Sequence, residues 1–135
     1  MWRGSAAICI NEKNEILMVA QEKPNEPELW SVPSGGVKEN ETFEDCCIRE
    51  VFEEMGYIIK VITKVIERNT TTYGVDVHIK YFEAEIIGGG RTFQDPDGLI
   101  LDICWKPISQ INDLKLMFED EREILLNYIK AKIHY

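Results

Sequence analysis

The stretch "REVFEEMG", Arg49 to Gly56, sets an arginine beside a glutamate, adds two glutamates three and four residues on, and ends in glycine. At about 100° per residue on a helix, Glu50, Glu53 and Glu54 fall within an arc of roughly 100°. Ile48, Val51, Phe52 and Met55 fall on the other side and are expected to face the core. Like charges at these spacings cost a helix a few tenths of a kcal/mol per pair. Between Thr42 and Gly56 the only basic residue is Arg49. A hard divalent cation removes the conflict, because it takes oxygen ligands. An exposed acidic face is the other reading, and the helix alone leaves both open.

The residues upstream bear on that choice. From Gly35 the chain runs "GGVKENETFEDCCIREVFEEMGY". Gly35 is followed by five residues and Glu41, then by seven residues and Arg49-Glu50-Val51, then by Glu53-Glu54, Gly56 and Tyr57. At a usage of about 7% each, seven such positions in register arise by chance roughly once in 10⁸ windows. The pattern resembles the signature of the Nudix hydrolases. The lead-in "LWSVPSGGV" is similar to that family's tryptophan, proline and paired glycines, and "DICWKPISQINDL" is similar to its late strand ending in tryptophan. Tyr57 departs from the family's usual aliphatic residue, Ser34 stands where many relatives have glycine, and Lys38 where many have glutamate.

The resemblance implies an enzyme that cuts a nucleoside diphosphate linked to another group, with Mg²⁺ as cofactor and Mn²⁺ as a substitute. It implies Glu50, Glu53 and Glu54 as metal ligands, joined by the backbone carbonyl of Ser34. Arg49 is expected to hold a box glutamate in place, and Glu41 to brace the loop before the helix. Gly35 and Gly56 are structural positions of the motif. In that family the general base is a motif glutamate or an acid from a later loop, so Glu53 is the expected base or activator of metal-bound water, with Asp95 and Asp97 of "TFQDPDG" as loop alternatives. Water attacks phosphorus in such a reaction, and metal ions offset the repulsion between nucleophile and phosphate.

The chain has 135 residues and a net charge of −9. That length suits one domain, expected to span 1–135, and the charge argues against a broad nucleic-acid surface. An acidic protein still handles phosphates where bound metal reverses the local field. No apolar run nears the roughly 20 residues of a membrane span. The four cysteines, Cys9, Cys46, Cys47 and Cys104, lack a C-x-x-C pairing. They read as buried thiols in a reducing compartment, and a cytoplasmic location is expected. A homodimer is left open.

"RGSAAICIN" and "EILMVAQ" read as strands of a hairpin around "EKNE", and "EKPNEPEL" as an exposed loop. "WSVPSGGVKEN" is turn-rich. A helix fits Thr42 to Met55, with Thr42 as N-cap, Asp45 in the capping-box position and Gly56 as the left-handed C-terminal residue. "YIIKVITKVIER", "YGVDVHIKYFEAEII" and "LILDICW" read as strands, and "GGGRTFQDPDG" as a loop. "FEDEREILLNYIKAKI" closes as an amphipathic helix, apolar at Ile124, Leu125, Tyr128 and Ile129. The expected fold class is α/β, a Nudix-type α/β/α sandwich with a mixed sheet between helices.

The markers outside the motif address the substrate. Relatives acting on ADP-ribose often carry a proline about fifteen residues past the motif, whereas no proline falls between Pro33 and Pro96 here. Relatives cleaving dinucleoside polyphosphates often carry a tyrosine sixteen to eighteen residues past it, and Tyr73 lies sixteen past Tyr57. Tyr73 is a candidate base-stacking residue. Gln21 and Lys23 are candidates for phosphate or base contact. A nucleoside triphosphate or dinucleoside polyphosphate is the favoured substrate. The competing reading is a non-catalytic nucleotide-sensing module of the same fold, which would be expected to have lost motif glutamates.

Overall fold

The computed structural model of the chain describes residues 1–21, 28–90 and 100–133. It forms two compact units, one of Met1–Cys9 and Pro33–Gln94, the other of Ile10–Val32 and Asp95–Tyr135.

The first unit is built on a four-stranded sheet ordered β4 (Ser34–Gly36), β1 (Trp2–Ile8), β6 (Val75–Gly89), β5 (Tyr57–Thr72). β1 runs parallel to β6, and the other pairings are antiparallel, so the sheet is mixed. β5 and β6 form a long hairpin whose two-residue turn has positive φ at Tyr73 (52°) and Gly74 (77°). Two positive φ values in succession mark a type I′ turn, whose twist matches that of the flanking strands. Register shifts at Ile58/Ile59, Val61/Thr63 and Lys64/Ile66 break the strict alternation of β5.

Helix α1 (Phe43–Met55) belongs to this unit and starts and stops where its caps dictate. Thr42 Oγ1 accepts the Asp45 N–H at 3.0 Å. Gly56, at φ 83°, returns its N–H to the Phe52 carbonyl at 2.9 Å. Ser5 on β1 donates its hydroxyl to the Phe43 carbonyl at 2.6 Å, tying the first turn to the sheet. The helix buries Cys46, Cys47, Val51 and Met55. Phe52 departs from its expected place, since it is 45% exposed. The buried stripe follows Cys47, Val51 and Met55 at i, i+4 and i+8, and Phe52 lies about 100° round from Val51, off that stripe.

The second unit carries a three-stranded antiparallel sheet ordered β3 (Leu29–Ser31), β2 (Glu15–Gln21), β7 (Ile100–Pro107). β2 is central and buried from Ile16 to Ala20 without alternation. A short 3₁₀ turn at Ile108–Gln110 follows β7, and helix α2 covers Asp120–Ile133. Within α2, Ile124 and Leu125 are buried while Tyr128 and Ile129 are half-buried. Arg122 donates to the carbonyls of Ile111 and Leu114, fixing the connection ahead of the helix.

The α/β class holds, with the strands divided between two sheets. The expected hairpin of the first two runs is formed only at its turn end, at the Ile10–Ile16 bridge. The turn itself exists, since Asn11 N–H reaches the Glu15 carbonyl at 2.9 Å and Ile10 bridges Ile16. Both edges of β1 are already taken, by β4 and β6, so β2 pairs instead with β3 and β7. The turn-rich stretch "WSVPSGGVKEN" also contains strand residues, because non-local partners recruit three residues each for β3 and β4.

Candidate active site

The site is assembled in the first unit by α1 and β4. β4 pairs with β1 in the register Gly4↔Gly36, Ser5↔Gly35, Ala6↔Ser34. Gly35 therefore shares a sheet face with Ser5, whose hydroxyl meets the start of α1. A Cβ on Gly35 would overlap the Cγ, Cδ and Oε2 atoms of Glu50. The missing side chain gives the Glu50 carboxylate its berth against the β4 backbone.

Arg49 organises the acids around that berth. Its Nε donates to Glu41 Oε2 at 2.7 Å and its Nη2 to Glu41 Oε1 at 2.9 Å, a bidentate grip. Nη1 donates to Glu50 Oε1 at 2.7 Å and to Glu53 Oε2 at 3.1 Å. Nη2 also reaches the Gly36 carbonyl at 2.9 Å. Only a planar guanidinium with several fixed donors satisfies this set. The hydrogen bonds from Arg49 hold the Glu41 carboxyl down at about 2, well below its ordinary range. The same bonds to Glu41, followed by those to Glu50, raise the Arg49 pKa, so it stays charged. Glu41 further accepts the Lys38 N–H at 3.1 Å, which closes the loop ahead of the helix.

Three of the thiols, Cys9, Cys46 and Cys47, are buried. Burial pushes Cys9 up to about 12 and raises Cys46 and Cys47 as well. Cys46 Sγ donates to the Gly35 carbonyl at 3.5 Å, on the strand that berths Glu50.

Among the residues predicted to act, Glu50, Glu53, Arg49, Glu41 and Gly35 are brought together, and Ser34 sits beside Gly35 on β4. The Glu50 and Glu53 side chains differ in access, at 16% and 45% exposed. Glu54 is half-buried on the same helix. Gly56 ends the helix. Tyr73 occupies the tip of the β5–β6 hairpin, 84% exposed. Gln21 ends β2 opposite Leu29. The Gln21 side chain, Lys23, Asp95 and Asp97 lie outside the described residues. Among the described residues no three His, Cys, Asp or Glu side chains already converge as a metal cage. Glu50 and Glu53 meet through Arg49 instead. The donor set is nonetheless all oxygen, the chemistry that suits Mg²⁺ or Mn²⁺, and the space left by Gly35 admits a carboxylate to the β4 backbone.

One neighbour of the site was not singled out in the sequence. The Trp2 indole lies on β1 over two glycines, and a Cβ on Gly36 would lie 3.2 Å from its Nε1. The glycines at 4 and 36 were the available signal, but it acquires meaning only once β4 pairs with β1.

Residues 1–128 match the profile of the NUDIX domain. The chain is 29% identical over 123 residues to a Bacillus subtilis (strain 168) protein provisionally named an 8-oxo-dGTP diphosphatase, covering 84% of this chain and 79% of that protein. It is 32% identical over 132 residues to the ADP-ribose pyrophosphatase of the same organism, covering 94% and 71%. A NUDIX hydrolase structure from Nitrosomonas europaea superposes with a TM-score of 0.81 at 19% identity, covering 96% of this chain and 89% of that one. The motif glutamates, the arginine that gathers them and the match along nearly the whole chain agree: this chain belongs to the NUDIX family and is a Nudix hydrolase.

Proposed function

We propose that the protein is a Mg²⁺-dependent pyrophosphohydrolase of a nucleoside diphosphate linked to another group, with a nucleoside triphosphate or a dinucleoside polyphosphate as substrate. Mn²⁺ substitutes for Mg²⁺, and residues 1–135 act as one catalytic domain. The observation that carries the reading is the Arg49 grip on Glu41, Glu50, Glu53 and the Gly36 carbonyl. It clusters carboxylates beside β4 while keeping their mutual repulsion in check.

In this reading Glu50, Glu53, Glu54 and the Ser34 carbonyl hold the metal. When bound, the ion neutralises phosphate oxygens and makes water a better nucleophile. Glu50, the less exposed acid, is held in its berth by Gly35 and Arg49. Glu53 is open enough for water to reach and takes the proton of the attacking molecule. The new phosphorus–oxygen bond forms as the bridging oxygen departs with the leaving phosphate. Arg49 positions both acids. Asp95 and Asp97 remain the alternative loop bases, and Gln21, Lys23 and Tyr73 the outlying substrate contacts.

All four cysteines are free thiols, which accords with a reducing cytoplasm. Among the described residues no helix is long and apolar enough to cross a membrane.

The test is turnover of a panel in Mg²⁺ and ¹⁸O-water, with products identified by mass. The panel holds nucleoside triphosphates and their 8-oxo forms, dinucleoside polyphosphates, sugar nucleotides, capped RNA and ADP-ribose. The expected result is cleavage of one phosphate bridge with ¹⁸O in one of the two products, lost with EDTA. Glu53→Gln should lower kcat by about 10²–10⁴-fold with the fold intact. Metal-independent hydrolysis, or no cleavage of any anhydride, would overturn the proposal.

A further inference from the structure

We infer that Trp2 is the stacking platform for the nucleobase of the substrate, a specificity-determining residue beside the phosphate site. The inference rests on the pyrophosphohydrolase reading above and adds to it the place where the base is held.

Trp2 begins β1 and remains 40% exposed, large for an indole. Its ring lies across two glycines. A Cβ on Gly4 would overlap Cη2 and Cζ3, and a Cβ on Gly36 would approach Nε1 at 3.2 Å and Cε2 at 3.6 Å. A side chain on Gly4 would push the ring off the sheet and also crowd the Gly35 carbonyl, and one on Gly36 would press on the indole edge. Glycine at both leaves a floor on which the indole lies across β1 and β4. A ring backed by bare backbone keeps an accessible π-surface at low entropic cost, the requirement for stacking a flat heterocycle.

The position is as informative as the exposure. Gly36 is common to both sites: its Cα side meets the indole, and its carbonyl accepts Arg49 Nη2 at 2.9 Å. Register places Trp2, Gly4 and Gly36 on one face of the sheet, and Gly35, with the Glu50 carboxylate, on the other. β4 is the edge strand between the two. A nucleotide rounding that edge would set its phosphates by Glu50 and Ser34 and its base on Trp2. Beside the indole on this face stand the apolar Val77 and Ile79, the register partners of Trp2 and Gly4 on β6, with Thr70 and Arg68 of β5 beyond them. The apolar strip next to Trp2 suits a ring, and the polar pair lies one strand further out.

The test separates stacking from mere covering of the glycines. Trp2→Leu keeps an apolar cap and removes the π-system; Trp2→Phe keeps a smaller π-system. Binding is measured in Mg²⁺ with α,β-methylene ATP, α,β-methylene GTP and inorganic tripolyphosphate, which has no base. For Trp2→Leu the Kd of the nucleotide analogues should rise on the order of tenfold relative to that of tripolyphosphate, and Trp2→Phe should recover most of the loss. Wild-type tryptophan emission should be quenched saturably by the nucleotides, and the quench should be lost in Trp2→Phe, where Trp30 and Trp105 remain. Thermal melting confirms that the variants fold. Equal weakening of nucleotide and tripolyphosphate, or unchanged nucleotide binding in Trp2→Leu, overturns the inference. Failure of the pyrophosphohydrolase reading is seen separately, as absence of turnover in the wild type.

Discussion

Gly35 and Glu50 share one volume: a methyl group on Gly35 would stand where the Glu50 carboxylate lies. The atoms in the way are the far end of a flexible side chain rather than backbone. Gly35→Ala should therefore fold, with Glu50 turned out of its berth. A displacement of about 1 Å in a catalytic group costs on the order of 10²-fold in rate. The expected outcome is a kcat lowered by about 10²-fold with Tm changed by only a few degrees. Steady-state kinetics and thermal melting on the same preparation check both halves. A variant with normal kcat would show that Glu50 is not needed in that position.

Arg49 is the second point where one substitution should separate charge from geometry. Arg49→Lys preserves the positive charge but not the forked donors that reach Glu41, Glu50, Glu53 and the Gly36 carbonyl together. A lysine ammonium satisfies part of this set and leaves partly buried acceptors short of donors. A stability loss of about 1–3 kcal/mol is expected by urea denaturation. A kcat loss of at least about 10²-fold should accompany it, because Glu50 and Glu53 lose their common anchor. Full activity in Arg49→Lys would mean that charge alone suffices.

The helix of the site could be read from sequence because its determinants are local. Thr42 caps one end, Gly56 the other, and the motif spacing sets Glu50, Glu53 and Glu54 on one side. Strand pairing resisted the same reading. A tight turn at Asn11–Glu15 looks like a hairpin until β4 and β6 are known to occupy both edges of β1. β3 and β4 are three residues each, too short to carry a period, and exist through their partners. Phe52, one step from the buried stripe, carries the same apolar signature as a residue within it yet is exposed. The setting of Trp2 has no local sequence signal, because Gly4 and Gly36 lie 32 positions apart and meet only through the β1–β4 register.

Glu121 offers a stability test within the second unit. It is 3% exposed on α2, and its Oε1 accepts the buried Val32 N–H at 2.9 Å. Glu121→Ala leaves that donor without its acceptor and removes buried volume. A loss of about 1–3 kcal/mol is expected from the donor alone. Glu121→Gln keeps an amide oxygen of the same reach and should recover most of it. Urea melts of the pair give the comparison; equal losses would assign the effect to the charge rather than to the hydrogen bond.

Glu41 ties stability to pH. Its folded-state pKa, about 2, lies below the ordinary 4.5 because the Arg49 hydrogen bonds favour the carboxylate. A depressed carboxyl pKa means that the unfolded chain binds the proton first as acid is added. The stabilisation is therefore fully present above the unfolded value near 4.5 and is lost as pH falls towards 2. In Glu41→Gln this contribution is absent at every pH. The variant should be less stable than wild type at neutral pH, and the gap should narrow on acidification through that window. Urea unfolding of both proteins between pH 7 and pH 2.5 measures the difference. A gap that stays constant, or widens in acid, would show that Glu41 does not carry its charge into the Arg49 grip.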